Sequence, residues 1–222
     1  MVRPIEWRLT LAGDDSRSRV GLGLAEEIMA CNPGLIRLAV TWVPKLEMGT
    51  QKELGPEERY PRWSLFNDRN RGTGIRFLGL PTGYQFATLL NAMLDVSRNR
   101  VLVEPRTYLW CQKLFSALEI LVLVTPTCPH SPRMVSLAQR MALANPQRIS
   151  ALTVDISSFP DWAEDLEVRE VPWLRVSLTE DHRPPLTQTG TVSERYLMEQ
   201  LRAWYEDKEP EKGRSTSYGS SP

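Results

Sequence analysis

The sequence predicts an α/β fold built twice, as two tandem units that each form a mixed sheet flanked by helices. Three observations lead there. The chain repeats itself. With a shift of 113 positions Ser18 falls on Ser131, Leu24-Ala25 on Leu137-Ala138, Asn32-Pro33 on Asn145-Pro146 and Ile36 on Ile149. With a shift of 111, Pro61 falls on Pro172, Gly79 on Gly190 and Leu90 on Leu201. Self-similarity at a fixed offset marks a duplicated structural unit. Within each copy, short apolar runs of strand length alternate with stretches whose apolar residues recur at helical spacing. Each copy then ends on a proline-led pair of strands and a closing helix, so its sheet must mix parallel and antiparallel neighbours.

In the first copy, residues 6–11 predict a strand. Residues 18–30 predict a helix that carries Leu24, Ala25, Ile28 and Cys31 at helical spacing, and residues 35–43 an apolar strand. Residues 44–60 are polar and irregular, broken by Pro44, Gly49, Gly55 and Pro56. Residues 62–66 and 75–78 form a hairpin pattern. Residues 83–97 predict a helix whose stripe is Phe86, Leu89, Leu90, Met93, Leu94 and Ser97. The expected boundary is residues 98–105, dividing a unit at 1–104 from one at 105–206. A helix over 106–118 follows, with Tyr108, Cys111, Phe115 and Leu118 on one face.

The second copy continues with a strand at 120–124 and a helix at 132–144 that turns Met134, Leu137, Ala138 and Met141 inward. A strand at 149–156 and a short helix around 161–166 come next. Residues 173–178 and a strand near 186–189 form the second hairpin. The closing helix, 193–206, has Ser193 as its N-cap and Leu197, Leu201, Trp204 and Tyr205 inward. Residues 207–222 have no apolar side chain but Tyr218, a composition expected of a disordered tail.

Composition narrows the function classes. Lys plus Arg equals Asp plus Glu at 27 each, and a zero net charge weighs against a dedicated nucleic-acid or anionic-membrane binder. No apolar run is long enough to span a bilayer, and the first seven residues lack the apolar core of a signal peptide, so a cytoplasmic location is expected. Cys31, Cys111 and Cys128, with His130 and His182, have no metal-ligand spacing, so no metal is expected. Gly21-Leu22-Gly23 lies inside a helical pattern, which suggests no nucleotide or flavin site and no cofactor. Arg69, Arg71 and Arg76 read as a solvated face. Trp42, Trp63, Trp110, Trp162 and Trp173 read as core or groove wall, with Trp173 nearest Cys128.

The chemistry points to Thr127-Cys128-Pro129-His130-Ser131-Pro132, which opens a helix directly after a buried strand. Backbone N–H groups and the positive end of the helix dipole favour thiolate over thiol there, so Cys128 is the candidate nucleophile. His130 is either an electrostatic partner for it or a solvated helix-start residue. Ser131 stands where a redox dithiol has its second cysteine. A hydroxyl cannot attack a mixed disulfide, so Cys128 can capture a partner but needs an outside thiol to release it.

The strand–helix–strand, hairpin, helix order is the thioredoxin arrangement. Residues 122–133 resemble the active-site segment of the glutaredoxin-like protein disulfide oxidoreductases, which carry two thioredoxin folds in tandem. So do residues 108–118, Asn145-Pro146, Phe159-Pro160 and Glu170-Val171-Pro172. Residues 74–86 are also similar to the end of the first fold in the N-terminal domain of the alkyl hydroperoxide reductase flavoprotein. The resemblance implies that Val171-Pro172 is a cis-proline turn facing Cys128. It also implies that Pro129, Val171, Pro172 and Trp173 line a substrate groove, with Pro61 as the first-copy counterpart of Pro172. The chain departs from the family at two places. The second copy has Cys128 and Ser131, and the first has Asp14-Asp15-Ser16-Arg17-Ser18, where Asp15 falls on Cys128. Expected partners are protein thiols or disulfides, glutathione or a peroxiredoxin. The expected activity is monothiol thiol–disulfide exchange. The alternatives are a redox-inactive peptide-binding or docking module, including one for a peroxide-reducing system, and iron–sulfur carriage, which Pro129 disfavours.

Overall fold

The computed structural model describes residues 1–13, 15–44, 59–179 and 183–206. The first copy runs β1 (Ile5–Ala12), α1 (Ser16–Cys31), β2 (Ile36–Val43), β3 (Arg62–Phe66), β4 (Gly72–Leu78) and α2 (Tyr84–Ser97). A connecting helix α3 (Pro105–Gln112) leads into β5 (Leu118–Val124), α4 (Ser131–Ala144), β6 (Ile149–Asp155), α5 (Pro160–Asp165), β7 (Trp173–Leu178), β8 (Leu186–Thr189) and α6 (Glu194–Glu206).

The duplication is written in the strand ladders. In the first copy Ile5 pairs with Ile36 in parallel, and Glu6 with Phe66 and Arg62 with Leu78 antiparallel. In the second, Leu118 pairs with Ile149, Glu119 with Ser177 and Trp173 with Thr189. Each pair is the first shifted by 113 positions up to β2 and by 111 from β3 onward. The helix ends repeat too: Asn32 and Asn145 close α1 and α4 with similar backbone angles. Gly79 and Gly190, both at positive φ, each donate an N–H to the carbonyl of the proline 18 residues earlier.

The two four-stranded units are joined in one eight-stranded sheet, ordered β2-β1-β3-β4-β6-β5-β7-β8. The joint is a parallel pairing of β4 with β6, from Ile75–Ala151 to Leu78–Val154. This position explains the burial patterns. β5 and β6, covered on both faces, are almost continuously buried, and β5 is apolar but for Glu119. β1 alternates, with Ile5, Trp7, Leu9 and Leu11 inward and Glu6, Arg8 and Thr10 outward. The larger core lies on one face, under α1, α2, α3, α4 and α6. The smaller one, Leu78, Leu121, Leu123, Leu152, Val154 and Phe159, lies on the opposite face beside α5. Among the described residues α5 is the helix on that second face, joined by Leu166, Val168 and Val171 of the segment that follows it.

Several expectations need correction. The helix expected over 106–118 ends at Gln112. The N–H groups of Phe115 and Ser116 turn instead to the Tyr205 hydroxyl, and Leu118 pairs in β5. Tyr108 and Phe115 are therefore exposed, and of that stripe's helical members only Cys111 is buried. Cys31, the last residue of α1, is exposed and not packed. Trp42 is exposed because β2 is the sheet edge. Ser193 does cap α6, accepting the Tyr196 N–H at 3.2 Å. The irregular segment 44–60, apart from its two ends, and the tail 207–222 fall outside the described residues.

Candidate active site

β5 delivers the chain to the site. After Val124, whose carbonyl accepts the Ile156 N–H, the chain turns at Thr125, and the Cys128 N–H reaches the Thr125 carbonyl at 3.4 Å. The helix then begins at Ser131, three residues past Cys128. The first copy shows why. There the Arg19 N–H bonds the Asp15 carbonyl at 3.2 Å and starts the helix one residue after Asp15. The matching donor in the second copy is position 132, and a proline has no N–H. Cys128 thus sits in the turn ahead of α4 and not in its first helical turn.

Cys128 is partly exposed, and its Sγ donates to the Val171 carbonyl at 3.4 Å. Val171–Pro172 is cis, as expected, and so is Tyr60–Pro61. Pro172 is buried, while Val171 and Trp173 are half-buried at the margin of the smaller core. Pro129 and His130 are both exposed. The His130 carbonyl accepts the Thr191 hydroxyl at 3.0 Å, which ties the turn to the loop after β8. The His130 ring forms no hydrogen bond or ion pair among the described residues. Ser131 is fully buried, and its Oγ has no partner among them.

The sequence reading missed what supports this turn from behind. The start of α2, in the other copy, holds it: Tyr84 N–H donates to the Pro126 carbonyl at 2.9 Å and Gln85 Nε2 to the Thr125 carbonyl at 3.3 Å. Gly83, at φ +57°, lets the backbones approach, and a Cβ there would collide with the Pro126 carbonyl. The helix start at Gly83 was legible. Its partner across the repeat was not, because no local pattern names a contact about 40 residues away.

The first copy's counterpart is a capped helix end. Asp15 accepts from Ser18 N and Ser18 Oγ, each at 2.9 Å, and from Arg17 Nε at 3.3 Å. Asp14 lies outside the described residues. The neighbouring cis-proline segment is closed by an ion pair between the buried Arg59 and Asp161, with the guanidinium against Phe159 and Trp162. The other cysteines are separate from Cys128. Burial pushes the Cys111 thiol up to about 12. Cys31 Sγ bonds the Glu27 carbonyl at the far end of α1.

No protein-family model matches the chain. It is 26% identical over 159 residues to the alkyl hydroperoxide reductase AhpF of Pseudomonas aeruginosa, a match that covers 72% of this chain and 27% of that protein. It is 25% identical over 161 residues to an NADH dehydrogenase of Bacillus subtilis, covering 72% and 28%. The matched region thus spans little more than a quarter of these relatives. Two solved structures superpose with a TM-score of 0.74. One is the N-terminal domain of the alkyl hydroperoxide reductase AhpF from Enterococcus faecalis, at 21% identity over 90% of this chain and 92% of that one. The other is a protein disulfide oxidoreductase from Aeropyrum pernix, at 22% identity over 94% and 88%. These likenesses show the fold: two tandem thioredoxin-like units.

Proposed function

We propose that this chain carries out thiol–disulfide exchange through Cys128 as a solitary thiol. The observation that carries the reading is the placement of Cys128: partly exposed, with its Sγ on the Val171 carbonyl and beside the buried Pro172. The Cys128 sulfur attacks one sulfur of a partner disulfide, a new S–S bond forms, and the other sulfur leaves as thiolate. Ser131 cannot complete the cycle. Cys111 stays protonated and buried, and Cys31 lies at the opposite end of α1 from the Asp15 cap, roughly 20 Å along that helix. The releasing thiol is therefore external, from glutathione or a partner protein, which suits the reducing cytoplasm. Among the described residues no helix is long and apolar enough to cross a membrane. On this reading Pro129, Val171, Pro172 and Trp173 form the substrate groove, with Val171 offering backbone to an extended segment.

The test is exchange of a model mixed disulfide by the full chain. Cys128→Ala is expected to abolish it. Ser131→Cys is expected to restore an internal resolving thiol, so that the mixed disulfide no longer accumulates and an intramolecular disulfide appears in the intact mass. Exchange that survives Cys128→Ala removes the reading. The likeness to the AhpF hydroperoxide reductases favours a second reading, a docking unit for a peroxide-reducing system with a peroxiredoxin as partner. On that reading Cys128→Ala keeps the partner bound, and its loss counts against docking.

A further inference from the structure

The two copies hold different side chains at one position, and the difference assigns a state to the site. Asp15 and Cys128 are equivalent under the 113-residue shift, as are Arg17 and His130, and Ser18 and Ser131. In the first copy the Asp15 carboxylate is held by three donors: Ser18 N, Ser18 Oγ and Arg17 Nε. Ser18 Oγ also accepts the Ala12 N–H at 3.1 Å, so this buried hydroxyl is satisfied twice. In the second copy the equivalent hydroxyl, Ser131 Oγ, is just as buried and has no partner among the described residues. Buried hydroxyls are almost always bonded, and one left without a partner calls for an explanation.

The difference is one atom of reach. An aspartate carries its oxygens on the atom bonded to Cβ. A reduced cysteine ends at that atom, and the Cys128 sulfur is turned to the Val171 carbonyl. A cysteine oxidised to sulfenic acid regains an oxygen at the place where aspartate has one. We propose that the Cys128 turn is built to hold a cysteine sulfenate, with Ser131 donating to its oxygen as Ser18 donates to Asp15, and that Cys128 reduces hydroperoxides. Asp15 is then a permanent counterpart of the oxidised state of Cys128, and His130 occupies the place of the third donor.

The chemistry balances. The Cys128 sulfur attacks the outer oxygen of a hydroperoxide, an S–O bond forms and the O–O bond breaks. Sulfur is oxidised by two electrons, and the leaving oxygen takes the thiol proton and departs as an alcohol or water. A low-molecular-weight or protein thiol then condenses with the sulfenic acid, releasing water and leaving a mixed disulfide, which a second thiol reduces. The absence of a cysteine at position 131 lets the sulfenate persist until that external thiol arrives.

The full chain carrying Cys31→Ser, so that no exposed second thiol competes, is treated with one equivalent of cumene hydroperoxide. The Cys128 sulfenate is then trapped with dimedone at increasing delays and located by peptide mass. A trappable sulfenate at Cys128 is expected, with a lifetime roughly tenfold shorter in Ser131→Ala, the size of one charge-assisted hydrogen bond. A second readout needs no oxidation. Cys128→Asp is expected to recreate the Asp15 cap, and a double-mutant cycle with Ser131→Ala should show coupling of roughly tenfold in the unfolding equilibrium. No sulfenate at Cys128, equal lifetimes in the two proteins, or no coupling in the cycle overturns the proposal. Disulfide exchange is measured on the same samples. Exchange without a sulfenate leaves the exchange reading standing and removes this one, and a sulfenate without exchange does the reverse.

Discussion

Burial sets the chemistry of Cys111. Cys111 is enclosed by the larger core, and removing it from water disfavours the thiolate, which pushes its pKa from 9.0 up to about 12. In the unfolded chain the same thiol ionises near its ordinary value. The folded state therefore holds its proton over a window in which the unfolded state does not. The contribution is fully present below about pH 9 and is lost as pH rises through about 12. Urea unfolding between those limits is expected to show stability falling more steeply in the native chain than in Cys111→Ala, by up to roughly 1.4 kcal/mol per pH unit. Parallel slopes would refute the assignment. Sequence pattern placed Cys111 correctly, because it lies on a helical stripe. It misplaced Cys31, which shares a stripe with Leu24 and Ile28 but falls at the last residue of α1, where the core no longer reaches it. Cys128 itself was legible from the residues around it. The orphaned Ser131 hydroxyl was not, since a missing hydrogen bond leaves no mark in a sequence.

At the level of elements, every strand and helix among the described residues was legible in outline, and the errors lie at ends fixed by tertiary partners. α4 begins at Ser131, one residue before its expected bound, and Pro132, which cannot donate, keeps it from starting beside Cys128. α3 stops early because Tyr205, some 90 residues later, takes the N–H groups of Phe115 and Ser116. The start of α2 carries the largest effect on the site. Gly83 combines a positive φ with contact against the Pro126 carbonyl, so an alanine there meets both backbone strain and a steric clash. Gly83→Ala is expected to cost about 1–3 kcal/mol and to change the rate at which a thiol reagent labels Cys128, by displacing the turn at Thr125 and Pro126. Gly34→Ala, where an added Cβ meets nothing within 4 Å, should leave the labelling rate as it is. If Gly83→Ala labels at the native rate, α2 does not position the Cys128 turn.

Across the whole molecule, the repeat offsets read from the sequence are the offsets of the ladders, so the duplication was fully legible. The joint between copies was visible only in part. β4 carries Ile75, Phe77 and Leu78, apolar on both faces near its end, whereas its counterpart β8 is Leu-Thr-Gln-Thr and stays half-exposed. That contrast marks β4 as internal and β8 as an edge. β2, rich in Val, Leu and Trp, carries no such mark and is nonetheless an edge. The joint has a consequence for the division at 104/105. Separating the copies would strip β4 and β6 of a shared ladder and split one core that draws on both. The units 1–104 and 105–206 are thus expected to be repeats in sequence that unfold as one unit. Native-state hydrogen exchange is expected to show the amides of β1 and β5 opening at the same free energy and with the same denaturant dependence. Fragment 1–104, with Ile75, Phe77 and Leu78 uncovered, is expected to be unfolded or aggregated on its own. If β1 opens at a clearly lower free energy than β5, the β4–β6 joint does not couple the copies, and each would have to carry its own stability.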